Sequence, residues 1–236
     1  MKILTTAILM LSLFVINIPT VQAESEARME TSQEHLPAHL LYESQDLGAF
    51  TKLKLDLVSS YVEVQKGEDY KLAVYISQED LRFEDVFSLS TEDQQLILNE
   101  KDWINNVKSF LTTLTSRVVI TVPKTEDLSL EVDVVNGEVK VAGTLAAFKF
   151  DGPNVNIFLS GKETYPIAID IVNGDIELVF EKYDADLDLE FVNGRFDILG
   201  DQMSATLSDY QKTLGEGRDD IQIDAVNGKV IIREAE

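Results

Sequence analysis

Acidic side chains recur at one fixed place in this chain. Asp133, Asp170, Glu190 and Asp224 each stand three residues before an asparagine, and Asp56 holds the same place in a more divergent segment near the start. Carboxylates gathered in a row could take a hard cation such as calcium, which binds through several oxygens. No calcium-loop spacing accompanies them, so no metal is assigned. The four acids are the candidates should calcium be the ion of this protein. The competing reading is that they are outward-facing polar positions of strands. Asp175, Glu177 and Asp197 add carboxylates just beyond, and Asp151, Asp219 and Asp220 read as solvated turn residues.

Other chemistry is sparse. The two histidines, His35 and His39, flank Pro37. Their spacing would suit a metal on a helix, which the proline opposes. The serines lie outside any nucleophile-elbow pattern, and no glycine loop of the phosphate-cradling kind occurs. Cysteine is absent, so there is no disulfide, thiolate metal site or lipid-bearing thiol. An enzyme on acidic polysaccharide would need clustered basic side chains. Lys140, Arg195 and Lys229 instead stand beside different turns. No catalytic or cofactor-binding residue is assigned, and that enzyme class is the alternative to a non-catalytic reading.

The acids belong to a repeat. Asn136-Gly137, Asn173-Gly174, Asn193-Gly194 and Asn227-Gly228 each follow a valine and sit between alternating apolar residues. The shared pattern is apolar, any, apolar, acid, apolar, Val, Asn, Gly, any, apolar, any, apolar. Leu53 to Val64 keeps it with Ser59-Ser60 in place of Asn-Gly, and Phe148 to Leu159 is a worn unit. The asparagines are separated by 37, 20 and 34 residues, one or two units of a short period. Alternation of period two means strands, and a strand-turn unit at fixed period predicts a stacked coil. Each unit has one apolar face, which stacking buries. Asn and Gly readily take positive φ and would serve as structural turns, and stacked asparagines would exchange amide hydrogen bonds. The competing reading is a set of Asn-Gly hairpins. Two-residue loops would oppose Asp170 to Glu177 and Glu190 to Asp197, which is unfavourable. Both readings are all-β, and the repeat spacing favours the stack.

The remaining stretches set the boundaries. Residues 1–23 read as a secretory signal peptide, with Lys2, an apolar run from Ile3 and a small-residue site ending at Ala23. An uncleaved anchor is the competing reading. Residues 24–48 are polar and patternless, a flexible leader, and 49–236 form the repeat domain. Within it, residues 102–116 carry Trp103, Val107, Phe110 and Leu114 at roughly helical spacing, a helical or looped insertion. With 42 acidic and 20 basic side chains the formal net charge is -22. That repels nucleic acid and anionic lipid. No second segment after residues 1–23 could span a bilayer, so the processed chain should be extracytoplasmic, either periplasmic or secreted.

Leu53 to Val64 with Gly67, Val118 to Pro123 running into Leu130 to Val141, and Gly215-Glu216-Gly217 through Ile221 to Ile232 together resemble the putative-adhesin, β-strand-repeat family of bacterial envelope proteins. Some members of that family are encoded beside Lia-type envelope-stress regulators. The resemblance covers roughly residues 50–236. It implies a right-handed β-solenoid-like fold, no enzyme activity, and an adhesin-like structural or interaction role with an envelope protein or glycan as partner. The insertion at 102–116 departs from the family's usual pattern.

Overall fold

Apolar residues at every second position build long strands, and the strands build nearly everything here. The computed structural model describes residues 36–44, 47–101 and 114–235. Among them run twelve strands: β1 (His39–Ser44), β2 (Lys52–Lys66), β3 (Lys71–Ile76), β4 (Phe87–Glu92), β5 (Gln95–Glu100), β6 (Ser116–Val122), β7 (Ser129–Ala142), β8 (Ala147–Glu163), β9 (Ile167–Lys182), β10 (Ala185–Ile198), β11 (Asp201–Leu214) and β12 (Asp219–Glu234). Phe83–Val86 forms a single helical turn. Every strand lies within the compact unit Pro37–Glu236.

The strands join one sheet in the order β1-β3-β6-β2-β7-β8-β9-β12-β10-β11, with β5 beside β2 and β4 beside β5. Six copies of the repeat, β2, β7, β8, β9, β12 and β10, lie side by side in parallel and in register. The Asn-Gly pairs are therefore not hairpin loops. Each strand continues through its pair without a loop, and Asn173 lies opposite Asn154 on one side and Asn227 on the other.

At each pair the side-chain alternation slips by one residue. In β7, Leu130, Val132 and Val134 are buried, Val135 and Asn136 are exposed, and burial resumes at Val139 and Val141. The slip turns the second arm's apolar face back onto the interior that the first arm covers. Both arms of the repeat strands contribute to one core, from Leu53 and Val64 to Ile221 and Ile232. Ser60 and Val155 hold the slip position in β2 and β8, but in β9 and β12 it is a glycine against which the neighbouring main chain comes close. Gly174 has φ 154°, and a Cβ there would lie 1.8 Å from the Val155 carbonyl oxygen. At Gly228, with φ 149°, it would lie 1.8 Å from the carbonyl oxygen of Gly174.

Three features depart from the sequence reading. First, part of the segment read as a leader is a strand. β1 pairs antiparallel with β3, and Tyr42 stacks on Phe83 at 4.3 Å between ring centroids. Second, the copies do not stack in chain order. β10 and β11 form an antiparallel hairpin, and β12 inserts between β9 and β10. Its approach crosses the start of β10 through residues 215–218. There the buried Asp184 carboxylate accepts from the Glu216 N–H at 2.7 Å and from the Arg218 guanidinium. Third, Ser116, placed in the insertion, opens β6. β5 pairs with the first arm of β2 and β6 with the second, Asp56 opposite Asn99 and Ser60 opposite Ser116. Together they make one more copy of the repeat, split at its slip. The predicted helical segment at 102–113 lies outside the described residues.

The parallel run is finished by antiparallel strands: β3 and β1 beside β6, β4 beside β5, and the full-length β11 beside β10. On β11 the positions matching the core rows carry Lys212 and Asp201, whose side chains meet at 3.4 Å. Charges in such rows discourage further stacking.

Gly174→Ala is expected to destabilise the protein by at least about 2 kcal/mol, because a Cβ and a carbonyl cannot share that space. Gly200→Ala, at φ 88° with nothing within 4 Å of the added atom, is the control. It should cost only about 1 kcal/mol, the penalty of positive φ. Urea unfolding of the two variants beside the parent measures both.

Candidate functional site

In-register stacking turns each repeat position into a row across the sheet. The slip carries a row of asparagines. Asn154 Nδ2 donates to Asn136 Oδ1 at 3.1 Å, Asn173 to Asn154 at 2.9 Å, Asn227 to Asn173 at 2.9 Å, and Asn193 to Asn227 at 3.4 Å. Five exposed side chains thus form one amide ladder. Ser59, beside Asn136 in register, is buried. Each inner amide uses its N–H and its carbonyl together, which polarises both.

Three residues before each asparagine, and before Ser59 in β2, lies the acid row: Asp56, Asp133, Asp151, Asp170, Asp224 and Glu190, each opposite the next. Adjacent strands are about 4.8 Å apart, so these carboxylates repel along the row. Burial, with Asp56 and Asp151 on either side, pushes the Asp133 carboxyl above its ordinary range. Some relief comes from the neighbouring row, where Lys54 meets Glu131 at 2.8 Å. That pairing holds the Glu131 carboxyl below its usual range. Gln222 Nε2 donates to Asp224 Oδ2 at 3.1 Å, while Asp224 Oδ1 is buried without a hydrogen-bond partner. Among the described residues no three acids or histidines converge as a metal would need. Asp133, Asp170, Glu190 and Asp224 lie side by side in a line.

Between acids and asparagines runs a third row, the exposed valines Val135, Val172, Val192 and Val226, each 37–42 % accessible. Before the acids, a groove of about 370 Å³ crosses six strands, lined by Lys52, Gln95, Ser129, Lys149, Ala168 and Asp220 among others.

The split copy leaves a second carboxylate in an unusual place. β5 stops at Glu100, and its carboxylate accepts from the Val58 N–H at 2.9 Å. It occupies the slip where a continuous strand would have offered a carbonyl. Burial pushes this carboxyl up, more than the Val58 and Ser59 N–H groups lower it.

Of the basic residues beside the turns, Lys140 pairs with Glu138 at 2.7 Å, and Lys229 and Arg195 fall in one row with Asp175. His39 lies 3.3 Å from Glu79, and His35 is outside the described residues. The full membership of β8 in the rows was not read from the sequence. Asp151 and Asn154 keep the spacing of three that marks the repeat, and that spacing was the available signal. Gly152 and Pro153 obscured it by replacing the apolar residue and the valine.

No family model matches the chain, and no curated protein matches it in sequence. Solved structures do. The chain is similar to a putative cell adhesion protein from Clostridium sporogenes, with TM-score 0.52 and 13 % identity over 82 % of this chain and 99 % of that one. It is also similar to a putative adhesin from Bacteroides fragilis, TM-score 0.39 and 16 % identity, over 84 % and 99 % of the two chains. A third is a putative lipid binding protein from Parabacteroides distasonis, TM-score 0.29 and 12 % identity, over 83 % and 96 %. The likeness to the first establishes a shared all-β fold. Among the described residues no helix is long and apolar enough to cross a membrane.

Two outcomes are expected from the rows. Asn173→Ala, which removes an inner rung with two bonds, should cost about 1–2 kcal/mol, and Asn136→Ala, an end rung, about half that. Chemical unfolding separates them. The pH dependence follows from Asp133 and Glu100. An acid whose folded-state pKa is raised favours folding as pH falls through that value, and this contribution is lost as pH rises through it. Stability should therefore rise as pH drops from neutral toward the ordinary values of 3.8 and 4.5. Asp133→Asn should add about 1 kcal/mol at neutral pH, the relief of two like-charge contacts with Asp56 and Asp151, and reduce that rise. Thermal unfolding at several pH values checks both.

Proposed function

We propose that this protein is an exported, non-catalytic, adhesin-like module of the bacterial cell envelope. In this reading residues 1–23 are removed on export, and the stacked strands wind as a right-handed β-solenoid-like coil. Parallel crossover connections within one sheet are right-handed in nearly all proteins. The partner is an envelope protein or glycan, with an envelope-stress setting as in some members of the family that the sequence resembles.

The observation that carries the reading is the set of side-chain rows. A stack of parallel strands in register offers long lines of one chemical type, here amide, valine and carboxylate, in place of a converging pocket. Such lines suit an extended or repetitive partner bound through many weak contacts. The fold shared with a putative cell adhesion protein supports the same class. The acid row faces cationic groups best, since the net charge of -22 repels anions.

The test is retention. The tagged chain, expressed with residues 1–23 in a bacterial host, is incubated with separated wall, membrane and soluble envelope fractions, with calcium and with chelator. The recovered chain should have lost residues 1–23 by mass and should be held by one fraction. Uniform absence of retention, or residues 1–23 still present on the recovered chain, overturns the reading. Loss of retention in chelator that is reproduced by Asp170→Asn without chelator would point to calcium on the acid row.

A further inference from the structure

The four Asn-Gly pairs carry an intrinsic reactivity that the fold treats unequally. In a free chain Asn-Gly cyclises readily, because glycine has no side chain to shield its nitrogen. The Gly nitrogen attacks the Asn side-chain carbonyl carbon, the bond to the amide nitrogen breaks, and ammonia leaves with the proton lost by the Gly nitrogen. The resulting succinimide takes up water at either carbonyl, yielding aspartate or isoaspartate. Departure of the amide requires the Asn side chain to leave its hydrogen bonds and swing toward the main chain.

The ladder governs that freedom. Asn173 donates at 2.9 Å and accepts at 2.9 Å. Asn227 donates at 2.9 Å to Asn173 and accepts from Asn193. Asn136 ends the ladder on one side and only accepts, at 3.1 Å. Asn193 ends it on the other. Its amide donates at 3.4 Å, the longest bond of the ladder, and the residue beyond it in register is Thr206 of the antiparallel β11. The main chain differs there as well: Gly137, Gly174 and Gly228 have φ of 147–154°, whereas Gly194 is outside the positive-φ region. Asn193 is exposed, so water reaches it.

We propose that Asn193 is a site of spontaneous deamidation, and that the amide ladder protects Asn173 and Asn227 from the same reaction. Asn136, the other end, falls between. Conversion at position 193 removes the donor that holds Asn227 and adds a carboxylate to a chain whose net charge is already -22. Isoaspartate also adds a main-chain carbon inside β10, which is paired on both sides, to β12 and β11. The reaction therefore loosens the last hairpin from the stack with time, while the inner rungs stay intact.

The experiment ages the full chain at mildly alkaline pH and 37 °C (on the order of weeks) and maps each Asn-Gly peptide by mass spectrometry. A parallel sample is held unfolded in urea. In urea all four sites should convert at similar rates. In the folded chain Asn193 should convert about five- to tenfold faster than Asn173 and Asn227, the factor that one net hydrogen bond represents. Equal folded-state rates, conversion led by Asn173 or Asn227, or no conversion at Asn193 while the urea sample reacts would each overturn the proposal. Asn193→Gln, whose longer side chain cyclises poorly, should abolish the age-dependent fall in thermal midpoint. Persistence of that fall in this variant would overturn the proposed consequence.

Discussion

The approach of Gly137, Gly174 and Gly228, at the slip, to a carbonyl of the neighbouring strand is the contact on which the in-register stack depends. With no Cβ at Gly137, Gly174 and Gly228, the main chains can lie against one another at the slip, and the whole of each strand then pairs in register with its neighbour. A shift of one residue would put a side chain where the carbonyl sits and would also send every buried residue to the outside. Sterics at the corner and burial along the arms demand the same register. That agreement is why six copies align through their whole length although their sequences share only a spare pattern.

Register carries a cost with it. Stacking identical positions places like beside like, which suits valine and asparagine and opposes carboxylates. Like-charge opposition argues against hairpins in the sequence, yet the parallel stack contains the same kind of contact in its acid row. The difference lies in direction. In a hairpin those contacts would be made for the sake of one pair of strands, while in the stack they accompany a continuous core and an amide ladder. Both terms grow with every added copy, and the acids stay on the wet face, where screening keeps their repulsion small.

The ends of the stack use different chemistry from its middle. On one side the seventh copy is divided between β5 and β6, and Glu100 supplies by side chain an acceptor that a main-chain carbonyl would otherwise supply. On the other, β11 runs antiparallel and brings Lys212 and Asp201 to core rows. The late insertion of β12 is permitted because the slots between copies are chemically alike. β9 and β10 offer it the same register, and the Asp184 carboxylate secures the connection that crosses β10.

The strands, their buried faces and the rows of acid, valine and asparagine were legible in the sequence, because a side chain's direction in a strand follows from its place in a local alternation. The amide ladder could be anticipated for the same reason: once copies stack in register, equal positions must meet. The order of the copies could not be. β12 and β10 carry equivalent patterns, so nothing local distinguishes the slot each fills, and only the hairpin and the connection at Asp184 settle it. The split copy was hidden because its halves are separated by residues 101–115, and neither half holds an Asn-Gly. β1 was hidden because an antiparallel edge strand is stabilised by its partner β3 and by Phe83, far along the chain, more than by its own pattern. What the sequence determined by itself was the content of each unit, since that depends on neighbours one and two residues away. What the tertiary structure alone decided was the arrangement of the units, since that depends on hydrogen bonds between strands whose separation along the chain leaves no mark on either.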